Sequence, residues 1–230
     1  MAFCYFPKAR EAYAAAVSYR YLNLKWKENP YFSQEKFKQV SFILRLFSNR
    51  FCDWIWLGQA QMNVDADHWN FNQYTDYDIT LWGKYDYNSC VNLHIGTIIQ
   101  TGMKMDRVYP IIGFDWDISK RWTLNAVFPV NISLAYEINK AWTSAIAMRF
   151  FDFRQRVNKD EELPMGLFSY RNSGFELVIL YEKDPLVEAN LHIGNTLGGM
   201  LRISDQDNRH PHHFKLDPSW YAGGEIIISF

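Results

Sequence analysis

The chain has 230 residues and a formal net charge of −1, with 24 Lys+Arg against 25 Asp+Glu. That balance supplies no basic field for nucleic acid, and 48% apolar residues exclude global disorder. Aromatic residues reach 17%, yet no uninterrupted apolar run of about 18 residues marks a transmembrane helix. A membrane β-barrel stays open, because each of its strands is only half apolar.

The first residues, MAFCYFPKAREAY, lack the apolar stretch of a secretory leader, so either the protein stays in the cytoplasm or its leader is absent from this chain; the strand pattern below favours the second. The composition of residues 8–17 admits a short helix, but the Tyr/Val-rich continuation reads as strand. From there the hydrophobic period is two. Strands are predicted at 12–26, 36–49, 53–65, 76–88, 90–105, 109–118, 121–129, 131–139, 141–154, 174–183, 186–204 and 218–230. In 91–105, Val91, Leu93, Ile95, Ile99 and Met103 oppose Asn92, His94, Gln100 and Lys104. In 132–138, Ile132, Leu134, Tyr136 and Ile138 oppose Ser133, Ala135 and Glu137. In 174–183, Phe175, Leu177, Ile179 and Tyr181 oppose Glu176, Val178, Leu180 and Glu182. In 186–204, Leu191, Ile193, Leu197, Leu201 and Ile203 fall together, and His192 and Arg202 fall on the other face. The polar stretch Arg154–Glu162 reads as a loop. Short turns alternate with longer loops, and residues 1–230 form one domain: an all-β, antiparallel, up-and-down transmembrane β-barrel of about twelve strands.

A membrane barrel turns its apolar face outward and a soluble ligand-binding barrel turns it inward. Trp54, Trp56, Trp116, Trp122, Phe128, Trp142, Trp220 and Phe230 cluster at strand ends on the apolar face, as two lipid–water girdles would. The other face carries charge of both signs. Arg45, Lys84, His94, Lys104, Asp115, Glu137, Arg149, Glu176, His192, Arg202 and Glu225 are therefore expected to line a lumen.

No motif points to a cofactor. GNTLGG at 194–199 lacks the spacing of a phosphate loop. Arg209-His210-Pro211-His212-His213, near Asp205 and Asp207, has metal-ligand residue types without a ligand spacing, and reads as a solvated loop. A Ser–His–acid hydrolase built on His94 or His192 with Ser18, Ser41 or Ser133 has no local signature, so no catalytic residue is assigned. Cys4, Cys52 and Cys90 are too few for a disulfide scaffold, and no Cys52–Cys90 bridge is expected.

The last strand alternates Trp220, Ala222, Gly224, Ile226, Ile228 and Phe230 with Tyr221, Gly223, Glu225, Ile227 and Ser229. A terminal Phe230 with Ile228 and Ile226 two and four positions earlier resembles the C-terminal β-signal of Gram-negative outer-membrane proteins. The stretch GFDWDISKRWTLNAVFPVNISLAYEINKAWT is similar to uncharacterised outer-membrane β-barrel domains, and the resemblance covers roughly 107–230. It implies the bacterial outer membrane as location, with the lipid bilayer and the barrel-assembly machinery as partners and no nucleic acid. The expected role is a narrow pore or a structural barrel with a charged lumen. The alternatives are a barrel-embedded lipid hydrolase or acyltransferase, and a soluble ligand-binding β-barrel.

Overall fold

The structure, a computed structural model, describes residues 2–3, 11–24, 29–49, 53–71, 73–184 and 187–228. It holds a single antiparallel sheet. The strands are β1 (Ala2–Phe3), β2 (Glu11–Asn23), β3 (Lys36–Ser48), β4 (Trp54–Asp65), β5 (Thr75–Asn88), β6 (Val91–Gly102) and β7 (Arg107–Asp117). They continue as β8 (Trp122–Phe128), β9 (Asn131–Asn139), β10 (Trp142–Arg156), β11 (Leu167–Asp184), β12 (Val187–Ser204), β13 (His212–Leu216) and β14 (Trp220–Ile228). Each strand pairs with its sequence neighbours from β1 to β13, and β14 pairs with β12. β13 covers Gly199–Ile203 of β12, while β14 covers Val187–Asn195, so the two lie end to end along one edge. From β2 onward the sheet is therefore twelve strands wide, as the alternation predicts. Among the described residues no ladder joins the β1–β2 edge to the β13–β14 edge.

The sheet is nevertheless strongly curled. Phe37 of β3 stacks on Phe168 of β11 with ring centroids 4.6 Å apart. A flat sheet would hold strands eight ladder steps apart at about 38 Å, using about 4.8 Å per step. The concave face is the polar one. Asp76, His94 and Glu176 are 3%, 6% and 5% exposed, whereas Val17, Ile112 and Leu191 on the opposite face are 69%, 64% and 71% exposed. A soluble barrel inverts this arrangement.

Two departures from simple alternation matter. The ladder between β11 and β12 shifts between Asn172/Gly174 and Gly199/Thr196, so β12 carries an extra residue there. Gly198 has φ +86 at this bulge, a left-handed conformation that a side chain disfavours. The extra residue reverses the faces beyond it. Leu201 and Ile203 therefore join the interior with Phe37 and Phe168, while Arg202 shares the face of Leu191. The expected grouping of Leu201 and Ile203 with Leu191, and of Arg202 with His192, is corrected by this one residue.

The second departure is the β10–β11 hairpin. Phe153, Arg154, Gln155, Arg156 and Val157 are buried in succession, as are Leu167, Phe168 and Ser169. A wall strand buries alternate residues; successive burial means that protein covers both faces. The upper part of the hairpin has folded into the curl of the sheet. Residues 155–156 and 167–173, expected as the connection after the strand 141–154, are strand. One hairpin face packs Phe153 and Phe168 against Phe32 and Phe37; the other meets β5 and β7. The short β8–β9 hairpin permits this. β7 pairs with β8 only from Ile112, and β10 with β9 only as far as Met148. The upper edges of β7 and β10 thus flank a notch in the wall.

Candidate functional site

The interior is a chain of polar contacts that begins on β3. Arg45 Nε donates to Gln59 Oε1 at 2.6 Å, and Gln61 Nε2 donates to Asn63 Oδ1 at 2.7 Å. Ser41 donates to the same Asn63 oxygen at 2.6 Å, and Asn63 Nδ2 donates to Asp78 at 2.9 Å. The residues sit at alternate positions of adjacent strands, so period two places them together on the concave face.

This network ends on the inserted hairpin. Arg154 Nη2 lies 2.5 Å from Asp76 Oδ2 and 3.3 Å from Asp78 Oδ1, and its Nη1 donates to the Met105 carbonyl at 2.9 Å. Arg156 donates to the carbonyls of Gln73, Met165 and Gln206 at 2.6, 2.8 and 3.1 Å. A guanidinium offers five donors in a fixed fork, so it is suited to fixing one segment to several others. Burying two carboxylates without Arg154 would leave uncompensated charge. The hairpin is therefore latched from β5, from the β6–β7 turn and from the loop after β12.

His94 is held on both sides. Trp82 Nε1–H donates to His94 Nδ1 at 3.0 Å, so the ring proton lies on Nε2 and points to Asp115 Oδ2 at 2.8 Å. An Asp–His pair resembles half of a hydrolytic triad, but the indole occupies the nitrogen that would activate a nucleophile. His192 Nδ1 lies 3.3 Å from Asn190 Oδ1. Of the candidate serines, Ser41 bonds Asn63 and Ser133 bonds Asn131 and Asn125. None of these bonds brings a serine to a histidine.

The other expected lumen residues divide by depth. Arg149 Nε lies 2.5 Å from Glu176 Oε1, and Tyr221 donates to Glu176 Oε2 at 3.2 Å. Arg149, Glu176 and His192 line a cavity of about 550 Å³ below the hairpin. Glu137 lines a second cavity, of about 350 Å³, at the short-turn mouth. Lys84 is half-buried beside Asp86. Lys104 is not on a strand: β6 ends at Gly102, and Lys104 sits exposed in the following turn, paired with Asp207. Arg202 is displaced by the bulge, as described above. Glu225 pairs in register with Asn190, but its side chain lies outside the described residues, as do those of Ile226 and Ile228, and Phe230 lies outside them entirely.

The histidine cluster, expected as a loop, is split: His212 and His213 stand on β13, and the loop before them is organised by hydrogen bonds to one carboxylate. Asp205 Oδ1 accepts from the Arg209 and Asp207 backbone N–H groups at 2.6 and 3.1 Å. The Arg209 N–H above all, helped by His210, holds the Asp205 carboxyl below the usual aspartate range. The Lys104 ammonium does the same for Asp207. The described residues contain no grouping of three or more His, Cys, Asp or Glu able to hold a metal ion. Cys90 is a free, exposed thiol; Cys4 and Cys52 lie outside the described residues.

Sequence reasoning missed Arg154, Asp76, Trp82, Arg107 and Asp152 as interior contacts. Continued alternation along β10 would place Arg154 on the face of Trp142 and Phe150, so its interior contacts had no local signal.

Residues 83–223, more than half of the chain, match the family described as "Domain of unknown function (DUF6268)". The chain belongs to this family. It is 25% identical over 155 residues to an uncharacterised protein of Chlamydia pneumoniae, covering 67% of this chain and 49% of that protein. It is 23% identical over 231 residues to one of Chlamydia muridarum, covering 93% of this chain and 73% of that protein. A protein of Chlamydia trachomatis is 23% identical over 155 residues, with 67% and 49% covered. The chain thus spans about half the length of two of these relatives. No solved structure matches it. The DUF6268 match begins in β5 and ends in β14, so it includes the inserted hairpin, the bulge and the wall notch.

Proposed function

We propose that this DUF6268 chain is an outer-membrane β-barrel whose charged lumen is narrowed by its own inserted hairpin, a structural or gated barrel and not a wide pore. One observation carries the reading. From β4 to β9 the outward positions hold no Asp, Glu, Lys or Arg, while the charges of those strands point inward or sit at strand ends. A charge on a lipid-facing midplane position costs about 2–4 kcal/mol, and this face avoids that cost throughout. The aromatics add a length. Trp54–Tyr85, Trp122–Tyr136 and Trp142–Tyr181 form tilted ring pairs on the outward face at the short-turn end, with centroids 5.3, 4.8 and 4.8 Å apart. Phe128 and Phe150 meet at 5.4 Å toward the other end. On β10, Trp142 and Phe150 are separated by about 27 Å along the strand, or about 19–22 Å vertically at a tilt of about 35–45°. An apolar band of about 25 Å is of that size.

The reading as a soluble ligand-binding barrel requires the apolar face to be concave, and the hydrolase reading requires a free imidazole nitrogen beside a serine. Neither arrangement is present among the described residues. The test is a lipid-contact map. Fluorophores on single cysteines at Leu134 and Ala135, in a background lacking Cys4, Cys52 and Cys90, are read in vesicles of brominated lipid. Strong quenching at 134 and weak quenching at 135 is expected; equal quenching, or a monodisperse protein without detergent, would remove the membrane reading.

A further inference from the structure

We infer that the wall notch between β7 and β10 is a binding site for an anionic, hydroxyl-bearing lipid headgroup, seated from the side. The inference rests on the membrane reading above. The notch encloses a cavity of about 280 Å³. Its outer lip is apolar: Phe128 and Phe150 are 46% and 38% exposed on the outward face and continue into exposed Ile112. Its inner wall is polar, because the hairpin that folded inward turns Arg171 and Asn172 toward the gap.

The cavity lining carries one cation, Arg171, and one anion, Asp152, and the anion is already paired outside the lining. Arg107 is paired with Asp152 at 3.1 Å and donates to Ser169 Oγ at 3.0 Å. Arg171 has only a phenol, donating to Tyr109 Oη at 2.7 Å, and lies over the Tyr109 ring. Arg202 donates to the Met105 sulfur at 3.5 Å and feels the charges of both Arg107 and Arg171. The carboxylate of Asp152 is thus committed to Arg107, and among the described residues Arg171 and Arg202 have no acidic partner. Arg171 therefore brings to the cavity a charge that no carboxylate of the described residues answers, and an anion seated there would answer it. Arginine forks match phosphate and carboxylate oxygens.

A second observation is independent of charge. Two buried amide oxygens in this cavity have no hydrogen-bond partner: Gln100 Oε1 and Asn172 Oδ1. Asn172 is 8% exposed, and its amide nitrogen is already committed to Tyr170 Oη at 3.0 Å. These oxygens need donors, which the hydroxyls of a glycerol or sugar headgroup supply and a bare phosphate or a choline does not. The apolar lip gives the acyl chains a surface along Phe150 and Ile112, outside the wall. Arginine for the anion, amide oxygens for hydroxyls and phenylalanines for chains define the ligand class. A membrane lipid and its free headgroup share this chemistry, and the assay separates them.

The full chain in neutral micelles is titrated by calorimetry with short-chain phosphatidylglycerol, short-chain phosphatidylcholine and glycerol 3-phosphate. Phosphatidylglycerol is expected to bind, phosphatidylcholine at least tenfold more weakly, and glycerol 3-phosphate more weakly than the lipid. Arg171→Gln, at an exposed position whose loss leaves the fold intact, should weaken phosphatidylglycerol roughly tenfold to a hundredfold, the range of one charge-assisted hydrogen bond. Arg171→Lys should recover part of that loss. Equal binding of both lipids, or no effect of Arg171→Gln, overturns the site. Glycerol 3-phosphate binding as tightly as the lipid reassigns it to a free anion and overturns the lipid source. Vesicle partitioning measured on the same sample separates a failed site from a failed membrane reading: a chain that partitions without headgroup preference loses only the site.

Discussion

At the scale of single residues, the interior depends on groups that cannot be removed one at a time. His94→Ala would leave the Trp82 N–H and one Asp115 oxygen, both half-buried, without their partner. A lost partner of this kind costs about 1–3 kcal/mol, and the shift should appear in the urea midpoint of the detergent-folded protein. At the long-loop end the sensitive variable is pH. Asp207 and Asp205 are held below the usual aspartate range by Lys104 and by the Arg209 N–H. Their contribution is complete above the ordinary value near about 3.9 and disappears as pH falls through the depressed values. Hydrogen exchange at residues 205–210 should therefore be flat from neutral pH down to about 4, after correction for intrinsic rates, and rise below it. A rise that begins well above pH 4 would remove the two aspartates as its cause.

At the scale of the elements, the hairpin latch should control passage through the lumen. Arg154→Ala leaves Asp76 and Asp78 with uncompensated charge, and breaking a buried pair from one side costs about 3–5 kcal/mol. Single-channel conductance in planar bilayers should be low in the natural chain and rise, with open–closed noise, in Arg154→Ala. A large steady conductance before substitution would show that the hairpin does not narrow the lumen. The reach of sequence reasoning also divides by element. The wall strands were legible, because period two is imposed by the backbone and their apolar positions follow it from Tyr13 to Tyr181. The facing of Arg202, Leu201 and Ile203 was not: one extra residue at Gly198 inverts every later position, and a bulge leaves no mark beyond two adjacent glycines. Arg154 and Asp152 were hidden for another reason. Their partners, Asp76 and Arg107, are brought near by the curl of the sheet, which no local pattern encodes. Lys104 was extrapolated along a strand that stops at Gly102.

At the scale of the whole molecule, the orientation of the sheet is open to direct test. Ile179 is 47% exposed on the outward face, whereas Val178 lines the larger cavity. Ile179→Lys should lower stability in vesicles by about 2–4 kcal/mol near midplane, and Val178→Lys by clearly less. The reverse order would require the opposite face to meet lipid. Deleting Phe230 tests the resemblance of the last strand to an assembly signal. Surface levels in a Gram-negative host should fall, with refolding in detergent less affected; unchanged surface levels would count against that role.

The inserted hairpin also has a consequence in time. Wall ladders join sequence neighbours, so each strand finds its partner after closing a short loop. The hairpin's own partners are remote: Ser33 meets Glu161 across 128 residues, and Gln39 meets Arg154 across 115. Contacts of that separation form late, because their loop entropy is spent before they reward it. Refolding should then resolve into an early phase that builds the wall and a slower one that seats the hairpin. Arg154→Ala should change the slow phase alone, and the interval between the two phases is a time during which the nascent lumen is wider than the finished one.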